Sequence, residues 1–323
     1  MGTPGYAIGW FRLCDSADLP AGVVRSVTLG GQPRVLFRTA GGELALTQAH
    51  CPHMGAHLGH GGRVTGECLR CPFHGFEFAR DGTCMRTGYP GDPRAPHRLQ
   101  TFPVFECNGF VLGYHTPDGS APDWQPEQLD TRDWMPPRSR TLRLRAHLRD
   151  LAENGVDLAH FRAVHRYTNI SEPAIRFEGP RIHSRFSFDR ENPIHTALGP
   201  VTALFDTDIC GLGYSLTRLS VPRLGIRYRI FLTSNQVDAE HTDFTISVSA
   251  PRRPGFARTG LAARLPWERG VDLYMRYILG HVVNDVLQDR EIWAHRDPTV
   301  RPMLVKGDGP ITAFRNWAAQ FEA

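Results

Sequence analysis

Short runs in which apolar and polar residues alternate fill the first third of the chain. Residues 23–29, 35–39 and 43–47 alternate or are rich in β-branched side chains, with Gly30-Gly31 and Gly41-Gly42 between them. Period-two runs closed by glycine predict strands joined by tight turns. Residues 102–106 and 110–114 flank Cys107-Asn108-Gly109, which predicts a hairpin. Residues 1–118 therefore read as a small all-β domain. Five prolines and little periodicity mark residues 116–138, so 119–140 reads as a linker. The period lengthens over residues 147–165, which predicts helix. Residues 174–250 return to strand-like runs, such as 226–233 and 244–249. Residues 266–295 carry the strongest helical pattern. Val271, Tyr274, Ile278, Val282, Val286 and Ile292 recur mostly three or four apart. The second domain, 141–323, is expected to be α+β, with strands packed beside at least two helices.

A length of 323 residues suits two domains of about 150 residues each. The apolar fraction of 41% and charged fraction of 22% are those of a folded globular chain, not a disordered one. The 37 basic and 33 acidic residues leave a net charge of +4. That surplus is too small and too scattered to argue for nucleic acid. Lys306 is the only lysine, which reads as a compositional bias. No apolar run approaches the ~18–20 residues of a membrane span. Residues 1–10 lack the basic start and apolar stretch of a signal peptide. Seven cysteines without an export signal point to a cytoplasmic protein with reduced thiols, some of them free to hold metal.

Two short motifs carry metal chemistry. Cys51-Pro-His53 is followed by Cys71-Pro-Phe-His74, so each of two turns offers one thiolate and one imidazole. A Rieske [2Fe-2S] cluster requires that set, Cys₂ on one iron and His₂ on the other. A Cys₂His₂ zinc site is the alternative, but zinc fingers place both cysteines first. Met54-Gly55-Ala56 and Gly59-His60-Gly61-Gly62 supply small residues for tight turns around sulfide. Respiratory Rieske proteins carry a further cysteine in each turn. Ala56 and Phe73 stand at those places here, which argues for a cluster of lower potential. His50, His57 and His60 read as neighbours of the cluster rather than ligands. Cys14, Cys68, Cys84, Cys107 and Cys210 read as plain buried or structural thiols.

The second motif runs from Glu153-Asn154 through Asp157 and His160 to His165. On an ideal helix Asp157 and His160 lie about 60° apart, whereas His160 and His165 lie about 140° apart. The two histidines can share a metal only if the helix bulges, tightens or ends between them. Two histidines and a carboxylate make the facial triad of a non-haem Fe(II) oxygenase, which leaves positions open for O₂. Asp289, in Gln288-Asp289-Arg-Glu291-Ile-Trp293, is the best candidate for the carboxylate. Asp285 lies one turn earlier and competes, while Glu291 falls on another face. By itself such a pair of histidines is more often a helix-surface cluster. A one-electron relay upstream reverses those odds, because its electron needs an acceptor.

With both motifs in order, the chain resembles the oxygenase (α) components of Rieske non-haem iron oxygenases. Its tail resembles the 3-ketosteroid 9α-hydroxylase oxygenase and its sterol-desaturase relatives. The matching stretches are Val286-Leu-Gln-Asp-Arg-Glu-Ile-Trp-Ala-His295, Arg301-Pro-Met-Leu304, Asp308-Gly-Pro, Arg315-Asn-Trp317 and Gln320-Phe321. The resemblance implies an all-β Rieske domain followed by an α+β catalytic domain of helix-grip type with an antiparallel sheet. It implies that Asp289, rather than Asp285, completes the iron site with His160 and His165. It also implies a homotrimer, in which the cluster of one chain approaches the iron of the next. Asp157 would then bridge His74 of one chain to His160 of its neighbour, the route for the electron. A region that does not align with the steroid enzyme, residues 174–265, is where the substrate pocket is expected.

The implied activity is a monooxygenase that uses O₂ and external electrons to oxidise a C–H bond of a bulky apolar polycyclic, steroid- or terpenoid-like substrate. Hydroxylation, desaturation, demethylation and ring closure all remain open at this point. The chain has no flavin or nicotinamide fingerprint, so a separate NAD(P)H-dependent reductase, with or without a ferredoxin, must supply electrons. Phe161, Phe177, Phe186, Phe188, Leu204, Phe205, Leu212, Tyr214 and Phe231 are candidate pocket walls or ordinary core. Arg176, Arg218 or Arg227 could hold a substrate carboxylate, against the plainer reading of a solvated strand face. The alternatives are an aromatic or O-/N-demethylating Rieske monooxygenase and, in another class, a Rieske electron carrier that needs no mononuclear iron. A zinc-dependent hydrolase is a third, colourless, alternative.

Overall fold

Residues 5–90, 96–189, 201–253, 266–297, 300–305 and 307–322 are described in a computed structural model. Parts of residues 1–10 and of the expected pocket region 174–265, together with Lys306, lie outside the described residues. Contacts divide the chain into one unit of residues 1–128 and another of 129–322.

In the first unit the alternating runs become eleven short strands. They are β1 (Gly9–Asp15), β2 (Val24–Leu29), β3 (Gln32–Arg38), β4 (Leu44–Gln48), β5 (Arg63–Thr65) and β6 (Cys68–Arg70). Then come β7 (Glu77–Ala79), β8 (Cys84–Arg86), β9 (Thr101–Phe102), β10 (Val104–Cys107) and β11 (Phe110–His115). Three antiparallel sheets result, in the orders β1-β11-β10, β2-β3-β4-β9 and β5-β6-β7-β8. The hairpin at Asn108-Gly109 forms because both residues hold positive φ, 56° and 91°, and Cys107 pairs with Phe110 across it. Val35, Phe37, Leu58, Leu69 and Phe78 make a core that also takes in Cys51 and Cys71. The two loops that begin at Cys51 and Cys71 thus grow directly out of buried packing.

The second unit is built on a seven-stranded antiparallel sheet. Its strands are β12 (Arg138–Arg145), β13 (Ala174–Glu178), β14 (Arg181–Asp189), β15 (Thr202–Cys210), β16 (Tyr214–Val221), β17 (Ile226–Gln236) and β18 (His241–Ser249). They lie in the order β12-β18-β17-β16-β15-β14-β13. Between β12 and β13 the chain makes two one-and-a-half-turn helices, α1 (Leu148–Glu153) and α2 (Leu158–Ala163). The long α3 (Glu268–His295) packs Val271, Met275 and Ile278 against Val248 of β18 and Ala250 just beyond it. Burying each such side chain contributes about 1.5–3 kcal/mol. The helical period holds as far as Val286. Ile292 is exposed and Trp293 is buried in its place, because a step of six residues from Val286 leaves the inner face. The last helix is α4 (Ile311–Ala318).

One buried carboxylate ties the helices of this unit together. Glu153 accepts from Arg296 at 2.9 Å and from Arg315 at 2.6 and 3.0 Å, while Arg296 also reaches Asp150 at 3.0 Å. Burial alone would raise the Glu153 carboxyl, but the two guanidiniums outweigh it and hold it below the ordinary 4.5. That contribution to stability is complete above pH 4.5 and is lost as the pH falls through the lowered folded-state value. Glu153→Ala is expected to lower the unfolding free energy by about 2 kcal/mol at neutral pH, less than a fully dry pair because both arginines are partly exposed. Urea denaturation should show the difference from the native chain shrinking in acid. A difference independent of pH would assign the cost to packing instead.

Candidate metal centres

Two loops of the first unit repeat one another. The Cys51 N–H donates to the Ala56 carbonyl at 2.9 Å, and the Cys71 N–H donates to the Phe76 carbonyl at 2.8 Å. Gly55 and Gly75 each stand four residues after the cysteine, with φ of 72° and 71°. That left-handed backbone turns each loop back on itself, and only glycine enters it without cost. The second loop is also crowded from behind, since a Cβ on Gly88 would fall on the His74 carbonyl.

The loops bring all four donors into one place. Cys51 and Cys71 are buried side by side, within hydrogen-bond reach. The His53 and His74 ring centres are 4.8 Å apart, and His53 stacks on Phe76 at 4.5 Å. Burial pushes the Cys51 thiol up to about 11, with Cys71 adding to the rise. Backbone N–H groups of His53 and Met54 aim at its sulfur and oppose that rise. Burial and the neighbouring His74 and His97 hold His53 below its ordinary value, which favours the neutral imidazole that metal binding needs. His74 Nδ1 is buried with no hydrogen-bond partner. Two sulfurs, two imidazoles and an orphaned nitrogen fit a Cys₂His₂ iron–sulfur group. None of the seven cysteines is in a disulfide, so none braces these loops. His50, His57 and His60 form a separate chain of rings, 5.0 and 4.4 Å apart.

In the second unit the helix does end between the two histidines. α2 stops at Ala163, and Arg166 takes a left-handed φ of 59°. The chain therefore swings His165 back over the helix, and His160 Nε2 and His165 Nε2 come within 3.2 Å. Asp289 Oδ2, from α3, lies 3.4 Å from His165 Nε2 and 4.0 Å from His160 Nε2. The far ring nitrogens are spoken for. His160 Nδ1 donates to the Asp157 carbonyl at 2.6 Å, and His165 Nδ1 lies 3.4 Å from Gln288 Oε1. Those bonds place the Nε2 lone pairs toward each other and toward a buried carboxylate. Three such acceptors repel one another unless a cation or proton sits between them. Burial holds His160 low, whereas Asp289 raises His165 in spite of its burial. The donor set fits a divalent iron with three protein ligands and open positions.

Asn154 stands in the same sequence motif, and no spacing signal marks its part. Its Nδ2 donates to Asp289 Oδ2 at 3.3 Å, so it holds the carboxylate from α1. Asp285 is buried too, but it receives the Tyr167 hydroxyl at 3.5 Å and stands outside the three-donor group. Glu291 is exposed on the far side of α3. The Asp157 carboxylate caps α2, Oδ1 accepting from the N–H groups of Ala159 and His160 at 3.1 and 3.2 Å.

The three donors open onto a cavity of about 200 Å³ between α3 and the inner face of the sheet. Its walls include Phe161, Phe186, Phe188, Phe205, Leu212 and Tyr214 from among the residues expected there. Leu204 and Phe231 are absent because they stand one residue out of phase with Phe205 and Ile230, and successive strand residues face opposite sides. Phe177 is on the edge strand β13 and is absent as well. Arg176, Arg218 and Arg227 do not line it, and Arg218 is paired with Asp208.

A Rieske [2Fe-2S] domain model matches residues 9–103, and a 3-ketosteroid 9α-hydroxylase C-terminal domain model matches residues 113–321. The second match alone spans more than half the chain. The chain belongs to this family of Rieske non-haem iron oxygenases. Its cofactors are accordingly a Rieske [2Fe-2S] cluster and a mononuclear iron, and it is an oxidoreductase that acts with O₂. The oxygenase is 35% identical over 356 residues to cholesterol 7-desaturase nvd 1 of Ciona intestinalis, covering 98% of this chain and 69% of that one. It is 29% identical over 342 residues to a probable 3-ketosteroid-9-alpha-monooxygenase oxygenase component of Rhodococcus rhodochrous, covering 99% and 82%. Its fold is that of dicamba monooxygenase solved with non-heme iron and dicamba, at a TM-score of 0.65 and 17% identity, covering 98% of the oxygenase and 96% of that chain. As an oxygenase component, it draws its electrons from reductase partners. No helix among its described residues is long and apolar enough to cross a membrane.

Proposed function

We propose that this oxygenase oxidises a C–H bond of a steroid, by hydroxylation or desaturation, with the mononuclear iron held by His160, His165 and Asp289. The convergence of those three donors at the wall of a largely apolar cavity carries the reading. The names of the cholesterol and ketosteroid relatives supply the substrate class. Cys51, His53, Cys71 and His74 hold the cluster. The chains work as a homotrimer in the cytoplasm, and a separate NAD(P)H-dependent ferredoxin reductase, directly or through a ferredoxin, delivers the electrons.

When bound, the iron and the cluster together supply the activation of O₂ and the electrons it consumes. The protein's own part is positional. The Asp157 carbonyl and the Gln288 amide oxygen fix the tautomers of His160 and His165 so that both present Nε2. Asn154 orients Asp289. Phe161, Phe186 and Phe188 keep water from the reacting carbon and leave the substrate's placement to decide which bond is broken. Asp157 gives Oδ1 to the cap of α2, and we assign its other oxygen to His74 of the neighbouring chain.

The test supplies purified, iron-loaded protein with O₂ and electrons from a plant-type ferredoxin and its reductase. Cholesterol or a 3-ketosteroid should gain an oxygen or lose two hydrogens, read by mass spectrometry. Oxidation of a methoxyaromatic while both steroids stay intact would replace the steroid reading with a demethylating one.

A further inference from the structure

The cavity is polar at several places, and the metal site is only one of them. On α3 the residues facing it run Tyr274, Ile278, His281, Asp285, Asp289 and Trp293. At about 100° per residue, those from Tyr274 to Asp289 fall within about 80° of one another and form a single stripe. At about 1.5 Å per residue, His281 stands about 12 Å along the helix from Asp289, and Tyr274 about 22 Å. The cavity therefore runs lengthwise under α3, away from the metal donors. Against Tyr274 packs Tyr228 of β17, edge to face, with ring centres 6.5 Å apart at 77°. Ile278, Val282, Leu219 and Ile230 line the cavity beside these groups and offer no side-chain hydrogen bond.

Several polar side chains of the cavity wall are already engaged. Thr207 and Thr217 bond each other at 3.0 Å, and Tyr167 bonds Asp285. At the far end stand two phenols and an imidazole, all half-buried. His281 is steadied edge-on by Tyr277, ring centres 4.4 Å apart. Burial pushes the Tyr274 phenol up to about 12, so it remains a neutral donor at any working pH.

We propose that His281 and Tyr274 anchor an oxygen substituent, a hydroxyl or a ketone, at the end of an elongated polycyclic substrate remote from the carbon that is oxidised. The inference rests on the steroid reading above and adds to it which end of the molecule is recognised. A phenol donates to a ketone or accepts from a hydroxyl, and an imidazole does either. An anchor far from the metal fixes which carbon lies beneath it, so it sets position as well as affinity. A site built to bond an oxygen rejects the analogue that lacks it, because its own polar groups are then left unpaired.

The test uses the iron-loaded holoenzyme with two radiolabelled probes carried in cyclodextrin, cholesterol and cholest-5-ene, which lacks the 3-hydroxyl. Dissociation constants come from equilibrium dialysis. The native protein is expected to bind cholesterol at least tenfold more tightly. Tyr274→Phe and His281→Phe should each cut that preference about threefold or more, and the double variant should abolish it. Binding of cholest-5-ene should hardly change. Iron and sulfide counts equal to the native protein's establish that the variants are folded. A preference that survives the double variant overturns the anchor and leaves the steroid reading intact. So does an equal loss for both probes, which would make this end an entrance. Ser215, on the strand floor, supplies a control, since a preference lost in Ser215→Ala alone places the anchor there instead. If neither probe binds, and a 3-ketosteroid does not bind either, the steroid reading fails and the anchor falls with it.

Discussion

Asp289→Ala is expected to lower the iron content from about three to about two per chain while two sulfides and the reduced cluster's electron paramagnetic resonance signal stay unchanged. Turnover should fall to background. The reason is geometric. Asp289 is 5% exposed and is the only carboxylate within 4.8 Å of both histidine donors among the described residues. Removing it leaves two neutral imidazoles, too weak a set to hold a divalent ion against water. Asp285 does not replace it, because it sits a turn earlier on α3 and is bound by Tyr167. Asp285→Ala should accordingly keep the third iron. Full iron in Asp289→Ala with loss in Asp285→Ala would reverse the assignment. Failure of the native protein to take up a third iron, even after reconstitution with Fe(II), would favour an electron carrier over an oxygenase.

For Asp157 the informative change is to asparagine. Its carboxylate caps α2, and asparagine caps about as well as aspartate, whereas alanine costs about 1 kcal/mol. Alanine would therefore disturb His160, whose ring and backbone both bond Asp157. Asparagine keeps the helix and removes only the charge. Both metals should remain, and steady-state turnover should fall about 10- to 100-fold, as for other groups that orient a ligand from behind. Single-turnover rates, started with the cluster already reduced, should fall by the same factor, since the lost step is transfer between chains. Native turnover in Asp157→Asn would end the bridging assignment and leave the residue as a helix cap.

Much of this was legible before any fold was known. The cluster loops are local, because a thiolate and an imidazole two or three residues apart on a tight turn meet wherever the turn goes. The all-β start, the long C-terminal helix and the strands of the second unit follow from periodicity, which is also a local property. The break after α2 was legible only as a condition. Spacing said that His160 and His165 could meet if the helix ended between them, and the left-handed Arg166 is how it does so. Ile292 and Phe231 mark the limit of pattern reading. Both are large and apolar, but one faces out from its helix and the other faces away from the cavity.

Which residues are candidates for metal chemistry was thus legible in the sequence for the two Cys-His turns and for His160 and His165, because ligand type and short spacing are written along the chain; the choice of Asp289 over Asp285 came from the family resemblance. Only the tertiary structure decided what those residues work with. Asn154 and Asp289 are bonded across 135 positions, Glu153 and Arg315 across 162. Such contacts leave no trace in any local window. They exist because the sheet and α3, once packed, hold distant segments against one another, and the cavity between them belongs to neither alone.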